Sequence, residues 1–333
     1  MKSVTKFKVT DDQIRAAFKA AEIGAVSDIK ELSDGCYNSV FSAVGKDGKR
    51  YVIKIAPEKS VKVLTHERNI MASEVSFYSL LNERTDVKTP KIIFADFSER
   101  LIPTAYFIID FLDGERLDKA KLTPLERSEA NEQWAWILSE FHKIKGVGYG
   151  YEQAGLSDNW QDGLKRMTQI LIDDAAFYGK KCRVGQKLLT YIDKLSFALK
   201  DVPCALVNFD LHSMNLFCER TPSGIRLAVL DLERGFWGDP IGDFIMPETL
   251  KTFAKKSIVS LYNRHADAPI IMGKEAEIRY NLMKAYLAVI MYTERFSRFK
   301  GFGKFFDLTY LSGTFVYKLF AKIAFSALKR LSK

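Results

Sequence analysis

Residues 204–240 read CALVNFDLHSMNLFCERTPSGIRLAVLDLERGFWGDP. The apolar run CALV ends at Val207, and two further short strands are expected around 214–218 and 225–230. Polar residues stand at the ends of these runs. Asp210 falls in the loop just beyond CALV, Asn215 opens the strand NLF, and Asp231 closes the strand RLAVL. A hairpin between the last two strands brings Asn215 and Asp231 to one end. An Asp in the Asp210 position can orient an attacking hydroxyl and take its proton. The Asn215 amide oxygen and the Asp231 carboxylate can hold Mg²⁺ against nucleotide phosphates. His212, inside the loop, reads as a brace for it, with a catalytic base as the alternative. The histidines His66, His142, His212 and His265 are dispersed and form neither a zinc-ligand pattern nor a nucleophile triad.

Upstream, the run YVIKIA (51–56) sets Lys54 among the apolar residues Val52, Ile53 and Ile55. A lysine in such a strand needs a partner. Nucleotide phosphates and a helical carboxylate both qualify, with an exposed edge-strand lysine as the alternative. A helix expected over about 63–82 offers Glu67 and Glu74, one heptad apart on one face. Glu74 is preferred because Phe77, Tyr78 and Leu81 carry its stripe into the core; Glu67 is the fallback. Ahead of the lysine strand, LSDGCYNSVFSAV puts Gly35, Asn38 and Ser39 in a turn between two strands. Backbone N–H groups there can nest phosphate oxygens, Gly35 permits positive φ, and Asn38 and Ser39 add side-chain donors. An ordinary hairpin turn is the alternative.

At 333 residues the chain is long enough for two lobes. Thr10 before DDQIRAAFKAA is a helix N-cap. Strands follow over 28–34, 38–44 and 49–56, the last two joined by Gly45-Lys46-Asp47-Gly48. After the 63–82 helix come strands over 92–97 and 105–112. Helices are expected over 124–144, 160–178 and 184–199, and from about 243 onward. Antiparallel strands first and helices afterwards argue for an α+β fold in two lobes. The expected division is a nucleotide-binding lobe over 1–112, with a five-stranded antiparallel sheet and one helix, and a mostly helical lobe over 113–333. The second lobe carries the catalytic and metal loops and an acceptor pocket.

A chain with 47% apolar and 27% charged residues has the composition of a soluble enzyme. The N-terminus has no apolar h-region, and the longest strongly apolar stretch, AYLAVIMY (285–292), is too short to span a bilayer. A cytoplasmic location is expected. Cys36, Cys182, Cys204 and Cys218 lack metal-ligand spacing and read as free thiols. The net charge is +9, and residues 295–333 hold nine Lys or Arg against one acid, Asp307, so the rest of the chain is nearly neutral. No nucleic-acid partner is expected. From Thr314 the chain is amphipathic, with Val316, Leu319, Phe320, Ile323, Ala327 and Leu331 along one side and Lys318, Lys322, Lys329, Arg330 and Lys333 off it. That apolar side is expected to dock on the helical lobe. Contact with an anionic membrane surface or an acidic partner is the alternative.

In these motifs the chain resembles the aminoglycoside phosphotransferase and choline kinase family, which has a protein-kinase-like fold. The resemblance runs from about 25 to 250. LSDGCYNSVFSAV with YVIKI is similar to the family's nucleotide loop and lysine strand, and FIIDFLDGERL to its hinge. ILSEFHKIKGVGYG is similar to a helix end, and NFDLHSMN and LDLERGFWGDPIGDF to the catalytic and metal loops. The resemblance implies transfer of the γ-phosphoryl group of ATP, or GTP, to a hydroxyl of a small molecule. Asp210 would be the base, Asn215 and Asp231 the Mg²⁺ ligands, and Lys54 the phosphate contact with Glu74 behind it. Backbone groups near Asp110 and Leu112 would meet adenine. Asp239 and Asp243 resemble structural acids of the group.

Two positions depart from the pattern. The family usually has His-Gly before the catalytic Asp and often Gly before the metal Asn, where this chain has Asn208-Phe209 and Met214. The alternatives in function are a choline, ethanolamine or sugar kinase, and a nucleotide-binding pseudokinase. A protein kinase is disfavoured because Asp231 is followed by Leu232-Glu233 rather than Phe-Gly. An aminoglycoside acceptor calls for acids, with Asp158, Asp162, Asp173, Asp174, Glu233, Glu248 and Glu294 as candidates. Choline calls for an aromatic cage, for which Trp134, Trp136, Trp160 and Trp237 are available.

Overall fold

The computed structural model describes residues 6–32, 37–249, 255–298 and 308–333. The first helix, α1 (Asp11–Ala20), begins at a capping box. The Thr10 hydroxyl accepts the Gln13 N–H, and the Gln13 side chain accepts the Thr10 N–H. Five strands follow: β1 (Val26–Glu31), β2 (Ser39–Gly45), β3 (Arg50–Ile55), β4 (Ile92–Asp96) and β5 (Tyr106–Asp110). They form one antiparallel sheet in the order β1-β2-β3-β5-β4. The period of two sorts their side chains. Ile53 and Ile55 of β3 and Tyr106 and Ile108 of β5 join Ile14, Ala17 and Phe18 of α1 in a small core. Val52, Phe107 and Ile109 face the opposite way, into the main core. Lys54 is in phase with Val52 and therefore faces the helical part of the molecule.

The helix expected over 63–82 is interrupted. Thr65–Glu67 is a single 3-10 turn, Asn69 adopts a left-handed backbone at φ 56°, and α2 runs over Ile70–Arg84. Glu67 and Glu74 therefore do not share a continuous helical face. The Glu67 carboxylate instead accepts the Leu64 N–H at 2.9 Å and closes its own turn.

Beyond β5 the chain makes β6 (Glu115–Arg116), α3 (Pro124–Lys143), α4 (Trp160–Phe177), α5 (Arg183–Lys194), β7 (Ala205–Val207), β8 (Leu216–Thr221), β9 (Gly224–Val229) and β10 (Phe236–Gly238). It ends with α6 (Ile245–Thr249), α7 (Lys255–Tyr262), α8 (Lys274–Arg298) and α9 (Leu308–Leu331). β8 and β9 form the expected hairpin, joined by β6, while β7 pairs with β10. Gly114 lets β6 approach β8: at φ 120°, a Cβ there would lie 2.7 Å from the Cys218 carbonyl oxygen. α8 is buried on all sides from Tyr280 to Ile290 and forms the axis of the helical region.

α9 does not dock by the side expected. Leu319 and Ile323 are exposed, and among the described side chains of α9 the buried ones are Ala324, Phe325 and Leu328. Tyr317 packs edge-on against Tyr292 of α8, and Phe325 stacks on Tyr191 of α5. Tyr317, Ala321, Ala324, Leu328 and Leu331 repeat with four–three spacing, so this row follows one seam along α8, with Phe325 beside it turned towards α5.

Candidate active site

The end of β3, the middle of α2 and the end of β9 converge on one cluster of charge. Lys54 Nζ lies 2.8 Å from both Glu74 carboxylate oxygens, 3.2 Å from Asp231 Oδ1 and 3.6 Å from Glu233 Oε2. Glu74 is buried and Lys54 nearly so. Burial pulls the Lys54 ammonium down, but Asp231, Glu74 and Glu233 outweigh it and hold the lysine charged, well above its ordinary value. Burial pushes the Glu74 carboxyl up to about 6, against the attraction of Lys54. The carboxylates of Glu74, Asp231 and Glu233 offer oxygens within 4.8 Å of one another. Three carboxylates facing one ammonium leave negative charge uncompensated. Hard oxygen donors with excess charge fit a hard divalent cation such as Mg²⁺.

α2 also fixes the backbone at Asp231. The Asp231 N–H donates to the Tyr78 hydroxyl at 2.8 Å, one turn along from Glu74. Asp231 holds φ 62°, a left-handed conformation that costs a non-glycine residue about 1–3 kcal/mol and needs such support. Across the hairpin the Leu230 N–H donates to the Asn215 carbonyl at 2.9 Å, so Asn215 and Asp231 stand at the same end. Asn215 is the last residue of a 3-10 turn rather than the first of β8. Its Nδ2 donates to the Asp210 carbonyl at 3.0 Å, which ties this end of the hairpin to the Asp210 loop and leaves the amide oxygen able to accept a cation.

Asp210 sits between two cationic or polar groups. Its Oδ1 lies 3.4 Å from His212 Nε2 and its Oδ2 lies 3.3 Å from Arg234 Nε. Arg234 Nη2 also reaches Glu294 of α8 at 2.9 Å. Burial opposes the charge on Arg234, but Glu294 and Asp210 overcome it and keep the guanidinium ionised. His212 braces the loop, its Nδ1 accepting the Met214 N–H at 3.2 Å. Below the loop, Asp243 accepts the Asn208 and Phe209 N–H groups, and His142 bridges Asp243 to the Tyr262 hydroxyl, at 3.0 Å on each side. A cavity of about 710 Å³ opens behind this network, against His142, Tyr262 and Arg279, rather than at Asp210.

The nucleotide-loop residues fare unevenly. Gly35 lies outside the described residues. Asn38 Nδ2 donates to Glu233 at 3.2 Å, bridging the sheet to the carboxylate cluster, and its buried Oδ1 has no hydrogen-bond partner among the described residues. Ser39 turns away: its hydroxyl donates to the Phe7 carbonyl at 2.8 Å, because the first residue of β2 is covered by the N-terminal segment. Asp110 is held in the sheet, its carboxylate accepting the Lys91 N–H at 2.6 Å and its own N–H donating to the Lys91 carbonyl. Leu112, just past β5, is buried. Glu233, expected only as an acceptor contact, and Arg234, which no motif marks, both belong to the site; they follow the strand-terminal Asp231 by two and three residues, and that adjacency is the signal in the sequence.

The model of the phosphotransferase enzyme family matches residues 28–247, about two thirds of the chain, and the match includes Lys54, Glu74, Asp210, Asn215, Asp231 and Glu233. The protein belongs to the phosphotransferase enzyme family. It is a kinase of the class that phosphorylates small molecules. Solved structures share its fold at low identity. A protein assigned as an aminoglycoside phosphotransferase from Ralstonia eutropha JMP134 is 18% identical, with a TM-score of 0.67 over 97% of this chain and 99% of the other. A protein assigned as a fructosamine-3-kinase from Thermobifida fusca YX-ER1 is 16% identical, with a TM-score of 0.69 over 96% and 100%. The streptomycin–ATP complex of APH(2″)-IIa is 17% identical, with a TM-score of 0.58 over 94% and 97%. No curated protein matches the chain significantly. In this phosphotransferase, Phe209 stands at φ 63°, a backbone region that favours glycine.

Proposed function

We propose that this phosphotransferase moves the γ-phosphoryl group of ATP, or GTP, to a hydroxyl of a small molecule. The observation that carries the reading is the link from the Lys54–Glu74–Asp231 cluster through Asn215 to the Asp210 loop. Lys54 binds the nucleotide phosphates, and Glu74 keeps its ammonium aimed at them. Asn215, Asp231 and Glu233 are the residues that would hold Mg²⁺, which when bound offsets charge on the phosphates. Backbone groups around Leu112 would receive adenine. Asp210 accepts the proton of the acceptor hydroxyl as its oxygen bonds to the γ-phosphorus. The bond from that phosphorus to the bridging oxygen breaks, and the electron pair leaves with the nucleoside diphosphate. Arg234 orients the Asp210 carboxylate from the far side.

The acceptor reading favours an aminoglycoside-like or other polar polyol over choline. Trp134, Trp160 and Trp237 are buried in the core, so they do not form an open cage. Of the acids considered, Asp174 binds Thr65, Asp162 accepts from the Asn159 side chain that caps α4, and Asp173 binds Gln169, whereas Glu233 and Glu294 lie at the site. The streptomycin–ATP complex of a neighbour supports a nucleotide and a small acceptor bound together.

The test is nucleoside-diphosphate release with Mg·ATP and Mg·GTP over aminoglycosides, fructosamines, sugars, choline and ethanolamine. Acceptor-dependent release that Asp210→Asn abolishes is the expected result. Nucleotide binding without transfer to any acceptor would favour a nucleotide-binding regulator.

A further inference from the structure

α9 carries an outward face that nothing in the described structure covers. Phe315, Leu319 and Ile323 follow one another at intervals of four residues and are 69%, 42% and 45% exposed. The three therefore form one row along the helix. Lys318 and Lys322 lie beside the row and are exposed, and the same face continues into Lys329, Arg330 and Lys333. No Asp or Glu follows Asp307 in the sequence. α5 extends the basic surface. Lys187 lies over the Phe325 ring at 4.5 Å, and Lys194 Nζ bonds the Ser332 hydroxyl at 3.2 Å, both residues being exposed.

We propose that this face of α9 binds an anionic lipid bilayer, with the helix lying in the plane of the surface. Among the described residues no helix is long and apolar enough to cross a membrane, so the contact is with one leaflet. The Phe315–Leu319–Ile323 row enters the acyl boundary, and the flanking lysines extend their ammonium groups to the headgroups. Charge selects this occupant. A second copy docked symmetrically on the face would set five cations against five with no acid between them. A folded protein partner needs a pocketed patch of roughly 800 Å² on each side. A single file of three side chains on a convex rod is a wedge, which a fluid surface admits without shape complementarity. The inference does not depend on the kinase reading.

The experiment is co-sedimentation of the full-length protein with vesicles of phosphatidylcholine alone and with about 30% phosphatidylglycerol, at roughly 0.05 and 0.15 M salt, which brackets a useful range of screening. Expected is binding to the anionic vesicles, weaker by several-fold at the higher salt, with little on the neutral ones. The variant Phe315→Ser/Leu319→Ser/Ile323→Ser and the variant Lys318→Glu/Lys322→Glu should each lower binding by about tenfold or more. Both should keep the wild-type melting temperature, since neither touches the buried side of α9. No binding to anionic vesicles at either salt overturns the proposal. So does binding that the triple serine variant leaves intact, or equal binding to soluble polyglutamate, which would reduce the face to a simple charge patch. Concentration-dependent dimerisation that the triple variant abolishes would assign the face to a second copy instead.

Discussion

The Phe209 N–H donates to Asp243 at 2.6 Å, and Phe209 holds a left-handed backbone directly before Asp210. Asn208 completes the turn, its Oδ1 accepting the Asp210 N–H at 2.9 Å. The Phe209 ring is buried against Phe236 and Tyr286, with centroids 5.5 and 5.9 Å away. The loop therefore uses a conformation suited to glycine and stabilises it with one charged hydrogen bond and aromatic packing.

Phe209→Gly should destabilise the protein despite relieving the backbone. Loss of a buried aromatic ring costs about 3–5 kcal/mol, and removing a left-handed conformation returns about 1–2 kcal/mol. A net loss on the order of 2 kcal/mol is expected in urea denaturation. Asp243→Ala should cost more, about 3 kcal/mol or above, because it strands two N–H groups and His142. A variant glycine protein more stable than wild type would show that strain outweighs packing here.

Asp210→Asn keeps the size of the side chain and removes the carboxylate proposed to accept the proton. Turnover should fall by on the order of 10² to 10⁴, while nucleotide affinity stays within a few-fold. Isothermal titration alongside the activity assay separates the two. Turnover near the wild-type level in Asp210→Asn would remove this residue from the proton-transfer role.

Lys54→Met leaves Glu74 buried without its cation, at an expected cost of about 3–5 kcal/mol. Adding Glu74→Gln removes the stranded charge, so the double variant should be more stable than Lys54→Met alone. Both should bind nucleotide weakly. A double variant less stable than the single would mean that the pair is not electrostatically coupled.

Glu233→Gln should raise the magnesium concentration needed for half-maximal activity by about tenfold, because it removes one of three carboxylates from the cluster. The Asn38 amide can still donate to the new side chain, so the protein should melt as wild type does. A magnesium titration of nucleotide binding checks this, and an unchanged requirement would exclude Glu233 from the metal end.

The Arg220 guanidinium, and then the Thr123 N–H, hold Glu126 at about 2, below its ordinary carboxylate value. A depressed carboxylate stabilises the folded state fully above its unfolded value. That contribution fades as pH falls through the ordinary range towards 2. Arg220 is exposed and Glu126 only partly covered, so the effect should be small and weaken with salt. Carboxylate NMR titration should place its midpoint near 2 and move it upward in Arg220→Ala. An unchanged midpoint would assign the shift to the N-cap alone.

The sequence by itself determined the α+β order of elements and put Lys54, Asp210, Asn215 and Asp231 at strand centres, loops and strand ends. These are local matters, set by an apolar period of two and by where each run stops. It also picked out Glu74, although the helix argument used for it assumed a continuity that Asn69 interrupts. Tertiary structure alone decided the rest. Lys54 and Asp231 are 177 residues apart, and only the packing of the sheet on α2 and the β8–β9 hairpin brings their charges together. The same packing adds Glu233 and Arg234 to the site, turns Ser39 away from it, and chooses the docked side of α9. The apolar row expected to dock there and the row that does dock differ by roughly a quarter turn of one helix. Hydrophobic pattern does not distinguish two such rows; the Tyr191 and Tyr292 rings that one of them meets do.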